Sequence, residues 1–259
     1  MTSASPSIGV LIRFANSAST LPRVLAALKQ QTLQPHRILG VASQSTDGSR
    51  AMLIGAGAKV IEWTERYEHS RVLNFGLKHL DTDLVLVLSS HTVLESPETL
   101  AFMVATMADE RTACVSLKWD ADPHYSNRID WQELRTKGLK FGSIYSNSMG
   151  MIRRSLWQDV PFDESLPTAE DYAWVIEQVK RGHICQRLAL PFSYQRGGTS
   201  RDGEFARITF GLARRHGLKV TWLGVRHSLQ AWITSLMHRP ADARQHQARL
   251  GAWLLTRAG

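Results

Sequence analysis

Cysteine is scarce in this chain: two thiols, Cys114 and Cys185, among 259 residues. Both lie in apolar segments, which points to buried free thiols in a reducing compartment rather than to a disulfide. Long apolar runs are absent too. No uncharged stretch approaches the roughly 20 residues of a membrane-spanning helix. The opening MTSASPSIGVLIRF has no positive stretch ahead of its first apolar run and is not expected to act as a secretion signal. Internal repeats, low-complexity segments and a clear interdomain linker are all missing. What remains is 43% hydrophobic and 21% charged. That is an ordinary globular composition, long enough for one sizeable α/β domain or one domain with an appendage.

The net charge of +8 is unevenly placed. From Arg201 to Gly259, nine Arg and one Lys stand against Asp202, Glu204 and Asp242, leaving +7, so the rest is nearly neutral. A basic C-terminal region suits an anionic surface such as membrane phospholipid or a phosphate-bearing substrate, or is simply a solvated helical face. It lacks the aromatic interleaving and motifs of nucleic-acid binders, so nucleic acid is not an expected partner.

Apolar periodicity predicts alternating strands and helices. SIGVLIRF (7–14), HRILGVAS (36–43), AKVIEW (58–63), Leu84–Leu88 and TACVSLKW (112–119) read as strands. STLPRVLAALKQQ (19–31) reads as a helix capped by Ser19 or Thr20, with Pro22 in its first turn. TDGSRAMLIGAG (46–57) and SRVLNFGLKHL (70–80) are helical. Ser96 should cap a further helix, with Pro97 at its first position, running to about Glu110. Residues 120–140 read as a long polar loop, of the kind that is functional or mobile. SNSMGMIRRSLWQDVPFDE is a strand and a turn. TAEDYAWVIEQVKRG (168–182) is a helix capped by Thr168, with Tyr172, Val175, Ile176 and Val179 buried. Two or three basic amphipathic helices finish the chain, one carrying Val225, Leu229, Trp232, Ile233 and Leu236.

This alternation implies a parallel sheet covered on both faces, with ligands beyond the carboxyl ends of its strands. Those ends are Arg13–Asn16, Ser43–Asp47 and Ser89–His91, three polar clusters on one rim.

Several segments then fall into a familiar order. IGVLIRFANSASTLPRVLAALKQQ carries Arg13 and Asn16 as R-x-x-N. SQSTDGS (43–49) is similar to D-x-G-S-T-D-G-T, and RVLNFGLKH (71–79) to R-A-x-N-x-G. SNSMGMIRRSLW (146–157) and FDESLPTAEDYAWVIEQVKRGH (162–183) follow, the latter with an F-D-E…E-D pattern. From residue 8 to about residue 200 the chain resembles the family 2 glycosyltransferases of the GT-A fold, which use nucleotide-sugar donors. The resemblance implies that Arg13, Phe14, Asn16, Ser43, Asp47, Arg71, Ser89, Ser90 and His91 form the donor side. Arg13 and Arg71 would supply cations to the diphosphate, although Arg71 equally reads as a surface charge and Asp47 as a helix cap. Asp171, the second residue of E-D, would take the proton from an acceptor hydroxyl in an inverting transfer. A helix N-terminus favours its ionised form, and the same carboxylate suits a capping box. Glu170 and Trp174 would line the acceptor side with Asn147 opposite, unless Trp174 is core.

The sequence departs from the family in two places. Ala42 and Ser43 stand where an acidic pair usually reads the base, leaving Ser43 a hydroxyl to bond a base edge. Ser89, His91 and Thr92 stand where the D-x-D metal motif belongs. One imidazole among hydroxyls is poor for Mg²⁺ and better suited to Mn²⁺ or a softer ion. A protonated His91 replacing the metal at the leaving diphosphate is the expected arrangement; the others are an acid from the 120–140 loop, Asp120 or Asp122, completing a metal site, and a decayed site. The expectation is thus a GT-A-like domain over 1–200, with mostly parallel sheet, and a basic helical extension over 201–259. It would act in the cytosol, at the inner membrane face, on a lipid-linked or polysaccharide glycan. The alternative is a non-catalytic nucleotide- or sugar-binding subunit on the same scaffold.

Overall fold

The structure is a computed structural model that describes residues 5–119, 124–140, 144–195 and 202–220. Its first half follows the apolar alternation: β1 (Ile8–Phe14), α1 (Leu21–Lys29), β2 (Arg37–Ser43), α2 (Ser49–Gly55), β3 (Lys59–Trp63), α3 (His69–Lys78) and β4 (Leu84–Ser89). Then come β5 (Thr92–Leu94), α4 (Thr99–Thr106), β6 (Thr112–Leu117), β7 (Arg128–Ile129) and α5 (Trp131–Lys137). The described chain continues with β8 (Met149–Arg153), α6 (Arg154–Asp159), α7 (Glu170–Lys180), β9 (Ile184–Leu188), β10 (Phe192–Tyr194) and α8 (Asp202–Arg215).

Among the described residues, eight strands form one mixed sheet in the order β3-β2-β1-β4-β8-β6-β9-β7. The run β3-β2-β1-β4 is parallel. β8 is antiparallel to both β4 and β6, and β7 is antiparallel to β9. Strand order reverses at β1, whose neighbours are β2 on one side and β4 on the other, and such a switch point opens a crevice at the carboxyl ends. Alternate residues of the strands feed two apolar layers. Leu11, Val41, Val85 and Val87 pack with Val72, Leu73 and Leu77 of α3 and with Val175, Ile176 and Val179 of α7. Val10, Ile12, Leu86 and Leu88 pack with Leu21, Val24 and Leu28 of α1, Leu53 of α2, and Leu100 and Met103 of α4.

The R-x-x-N-x-G pattern of α3 has a packing reason. A Cβ on Gly76 would lie 2.5 Å from Leu11 Cδ1 and 3.0 Å from Val41 Cγ2, so glycine lets the helix seat directly on the sheet. Asn74 is buried and staples α3 to the 162–164 segment. Its amide donates to Phe162 O and Glu164 at 2.9 Å, and its oxygen accepts from the Trp157 indole at 2.9 Å and the Phe162 amide at 3.1 Å. Cys114 and Cys185 are buried free thiols, opposite one another on β6 and β9.

Several local expectations are corrected. Thr20 precedes α1 but its side chain caps nothing; its hydroxyl donates to Ser17 O instead. α4 begins at Thr99, because the Ser96 carbonyl closes a separate turn with the Thr99 amide and hydroxyl, and it ends at Thr106. The 120–140 stretch holds β7 and α5, the latter capped by Asp130 accepting from the Glu133 amide. Thr168 does not cap α7; that position is Ala169, in the left-handed region at φ +61°. The pairing of β5 with β10 in a second small sheet had no signal in three-residue segments.

The described part of the basic region belongs to the same core. Phe210, Leu212 and Ala213 of α8 are buried, while Arg207, Arg214 and Arg215 face outward. Among the described residues, no helix is long and apolar enough to cross a membrane. The helices expected over 221–259 lie outside the described residues.

Candidate active site

The three polar clusters meet because β1, β2 and β4 run parallel and in register. Arg13 lies opposite Val41 on one side and Ser89 on the other. The antiparallel β8 brings its amino end to the same rim, where Ser148 O accepts from the Ser89 amide at 3.0 Å and Asn147 follows beside it. Ala169 then starts α7 so that Glu170 and Asp171 arrive at Asn147. Among the described residues, non-glycine positive φ occurs only at Asn16, Gln44 and Ala169. All three border this rim, where strained backbone commonly accompanies function.

Hydrogen bonds knit the loops together. Asn16 Oδ1 accepts from the Thr46 amide at 2.9 Å, and the Asn16 amide donates to Ser45 Oγ at 3.1 Å. The Ser17 amide donates to Ser49 Oγ at 2.7 Å, and the Ser17 hydroxyl lies 2.9 Å from that of Ser90. Asp47 accepts from the Ala18 amide at 2.8 Å and the Ser49 amide at 3.0 Å. The Ser49 hydroxyl first, then these amides, hold its carboxyl down at about 2. Asp47 therefore ties the Ala18 loop to the start of α2; the cap position itself is Gly48, so the cap reading of Asp47 is corrected.

Asn147 is the hub of the opposite side and is buried. Its side-chain amide donates to Glu170 Oε1 at 3.2 Å, and its backbone amide donates to Asp171 Oδ2 at 3.3 Å. Its carbonyl accepts from Arg13 Nη2 at 3.2 Å. Arg13 Nη1 donates to Tyr67 Oη at 3.2 Å and lies 2.7 Å from His69 Nδ1. Burial opposes the Arg13 charge, but Tyr67, Glu170 and Asp171 outweigh it and its pKa is raised. Arg13 thus sits as a fixed cation behind the acidic pair.

Asp171 has one further bond, from the Tyr172 amide to Oδ1 at 2.8 Å. Its carboxyl is pushed from 3.8 up to about 7, by burial first and the Glu170 charge second. The expectation that the helix start favours the ionised form is corrected: desolvation and a neighbouring like charge outweigh the amides and Arg13. A carboxyl balanced near neutrality suits proton transfer.

At the end of β4, Ser89 Oγ lies 3.0 Å from His91 Nε2, and the His91 ring packs on Tyr194 at 4.9 Å. Burial, then the charge of Arg13, lower the His91 pKa below 6.5. That direction favours the neutral imidazole in the free protein; the protonated His91 expected at the diphosphate belongs to the donor complex. Nor does the described donor set fit a divalent ion. Among the described residues no group of three or more His, Cys, Asp or Glu is placed to hold one, and hydroxyls beside one imidazole are weak ligands. Asp120 and Asp122 lie outside the described residues.

Other expected site residues fall elsewhere. Phe14 is 3% exposed and packs in the core against Gly40, because its strand position points into the sheet layer. Trp174 is 2% exposed and donates its indole N–H to Val160 O at 2.7 Å, so it is core and does not line an acceptor side. Arg71 is paired with Glu65 at 2.9 Å and Glu164 at 3.9 Å, with Trp63 beneath it. Tyr67, His69 and Ser17 are contributors that no motif singled out; Tyr67 and His69 carried a faint signal, as polar aromatic residues just ahead of RVLNFG. On the rim, Arg13 Nε, Ser43 Oγ, Thr92 Oγ1 and Asn147 Oδ1 are buried without a partner. Such orphaned atoms are uncommon in native interiors and suit a polar ligand.

The family model for Glycosyl transferase family 2 matches residues 9–162. The O-antigen chain rhamnosyltransferase RfbN of Salmonella typhimurium is 25% identical over 196 residues, covering 68% of this chain and 62% of that protein. The match thus spans under two thirds of that relative. Glucosyl-3-phosphoglycerate synthase from Mycobacterium tuberculosis, solved with Mn²⁺, UDP and glucosyl-3-phosphoglycerate, superposes with a TM-score of 0.63 at 16% identity, over 83% of this chain and 82% of that one. The mannosyltransferase PcManGT from Pyrobaculum calidifontis, solved with GDP-Man and Mn²⁺, gives 0.62 at 15% identity, over 98% and 88%. These likenesses show the fold: the GT-A arrangement that the motifs imply.

Proposed function

The chain belongs to glycosyl transferase family 2, and on that premise we propose that it is an inverting glycosyltransferase with Asp171 as its base. The acceptor hydroxyl gives its proton to a carboxylate oxygen of Asp171 as its own oxygen bonds to the anomeric carbon. The bond from that carbon to the donor diphosphate breaks, and the electron pair leaves with the diphosphate. The observation that carries this reading is the placement of Asp171: on the rim, held by two amides, with its carboxyl near neutrality. Asn147 and Arg13 position the acidic pair. Ser43, Ser89 and Ser90 offer hydroxyls to the donor from the strand ends. The RfbN likeness supports an activated deoxyhexose donor and a surface-polysaccharide chain as acceptor. The basic region supports work at the inner membrane face.

A second reading is a non-catalytic binding subunit. It is favoured by hydroxyls and an imidazole at Ser43, Ser89 and His91, where the family has carboxylates. The experiment is a thermal-shift screen against UDP-glucose, GDP-mannose and dTDP-rhamnose, alone and with Mn²⁺ or Mg²⁺, followed by product analysis with the stabilising donor. Stabilisation by one donor with transfer to a glycan supports the enzyme. Binding without transfer or donor hydrolysis supports the subunit.

A further inference from the structure

We propose that Trp119, braced by Tyr194 and Phe192, is a stacking platform for a pyranose ring at the edge of the active-site rim; this rests on the sugar-transfer reading above. β4 and β6 are both antiparallel to β8, so they run the same way. The carboxyl end of β6 therefore opens on the same edge as Arg13 and Ser89. The Lys118 amide donates to Leu188 O at 2.9 Å, fixing the backbone one residue before Trp119.

Trp119 is 42% exposed. It is not loose: Phe192 packs on it at 5.4 Å and 79°, and Tyr194 at 4.9 Å and 83°. Tyr194 in turn packs on His91 at 4.9 Å. β10 holds these rings in place by pairing Tyr194 with Thr92, and the Gln195 amide donates to His91 O at 3.1 Å. An edge-to-face ladder thus runs from His91 to an indole that solvent still reaches. Such packing orients a ring without covering it.

The chemistry of the surroundings selects the occupant. The C–H face of a pyranose carries partial positive charge and suits the electron-rich face of an indole. The platform lies on the sheet edge that also carries Arg13 and Ser89, where the sugar-transfer reading puts the donor and acceptor. A protein partner would need a broad contiguous apolar patch, whereas the other exposed large hydrophobics among the described residues, Met52, Ile54 and Phe102, lie on α2 and α4.

The ring can belong to the donor's sugar or to the acceptor glycan, and two arms separate these. The variants are Trp119→Ala and Trp119→Phe. One arm measures calorimetric Kd for UDP, GDP and dTDP beside UDP-glucose, GDP-mannose and dTDP-rhamnose. The other measures saturation-transfer NMR with the methyl α-pyranosides of rhamnose, mannose and glucose. Trp119→Ala should leave bare diphosphate Kd within about twofold. It should lose roughly three- to tenfold in sugar-nucleotide affinity if the ring is the donor's, or comparably in glycoside binding if it is the acceptor's, with Trp119→Phe restoring most of the loss. Equal weakening of bare and sugar-bearing nucleotides would mean base stacking and would overturn the proposal. So would unchanged binding in both arms, or a wild type that takes no glycoside and gains nothing from a sugar on the nucleotide. If no nucleotide binds at all, the donor reading fails by itself and the glycoside arm still decides the platform.

Discussion

Asp171→Asn should make the protein more stable at neutral pH. Burial and the adjacent Glu170 raise the folded-state carboxyl from 3.8 to about 7. Between those two values the unfolded chain has released the proton and the folded chain still holds it. Stability is therefore lost as pH rises from about 4 to about 7 and is level above that. The gap between 3.8 and about 7 corresponds to about 4 kcal/mol. Asparagine escapes this loss because it has no charge at any pH. It keeps one acceptor oxygen for the Tyr172 amide but turns an N–H toward the Asn147 amide, which costs about 1 kcal/mol. The net gain above pH 7 is roughly 2–3 kcal/mol, or about 5–10 °C in Tm for a domain of this size. Near pH 4.5 the two effects should almost cancel. Scanning calorimetry of both proteins from pH 4.5 to 8 reads this directly. A variant that melts below wild type at pH 8, or a gap that does not change with pH, would refute a desolvated, charge-coupled Asp171.

Gly76→Ala puts a methyl group 2.5 Å from Leu11 Cδ1, which should cost about 1–3 kcal/mol and lower Tm; an unchanged melt would remove close helix–sheet approach as the reason for this glycine. With an active donor in hand, the transfer rate should rise roughly tenfold per pH unit below the Asp171 pKa and level off above it, and Glu170→Gln should move that rise to lower pH by removing the like charge. A rise that stays in place would separate Glu170 from Asp171.

The strands and the rim were legible because they rest on the simplest signals. Leu84–Leu88 is apolar throughout and runs into Ser89, and a run that short, alternating Leu with β-branched Val, favours a buried strand. Gly76 and Asn74 were visible as a motif, but their physical roles, a close approach and a four-bond staple, need the third dimension. Trp174 and Phe14 show the limit of reading a site from neighbours in sequence. Both lie within a few residues of polar site positions, yet helix and strand periodicity turn them into the core. Arg13 reads as a free cation at a strand end, but Tyr67, His69 and Asn147 arrive from elements distant in sequence and enclose it. The ionisation of Asp171 departs from its local signal for the same reason. The helix start is local and visible, while burial and the Glu170 charge depend on how α7 packs beside β8. β5 and β10 are too short to show periodicity, so the aromatic ladder they carry was invisible.

Asp171 is the group proposed to take the acceptor's proton. The direct test is product formation by Asp171→Asn beside a titration of the donor that stabilises the wild type. Asparagine preserves the shape and the Tyr172 contact but takes up no proton. Transfer should fall by at least about a hundredfold with donor Kd changed by only a few-fold. Near-normal turnover in a folded variant would contradict that role.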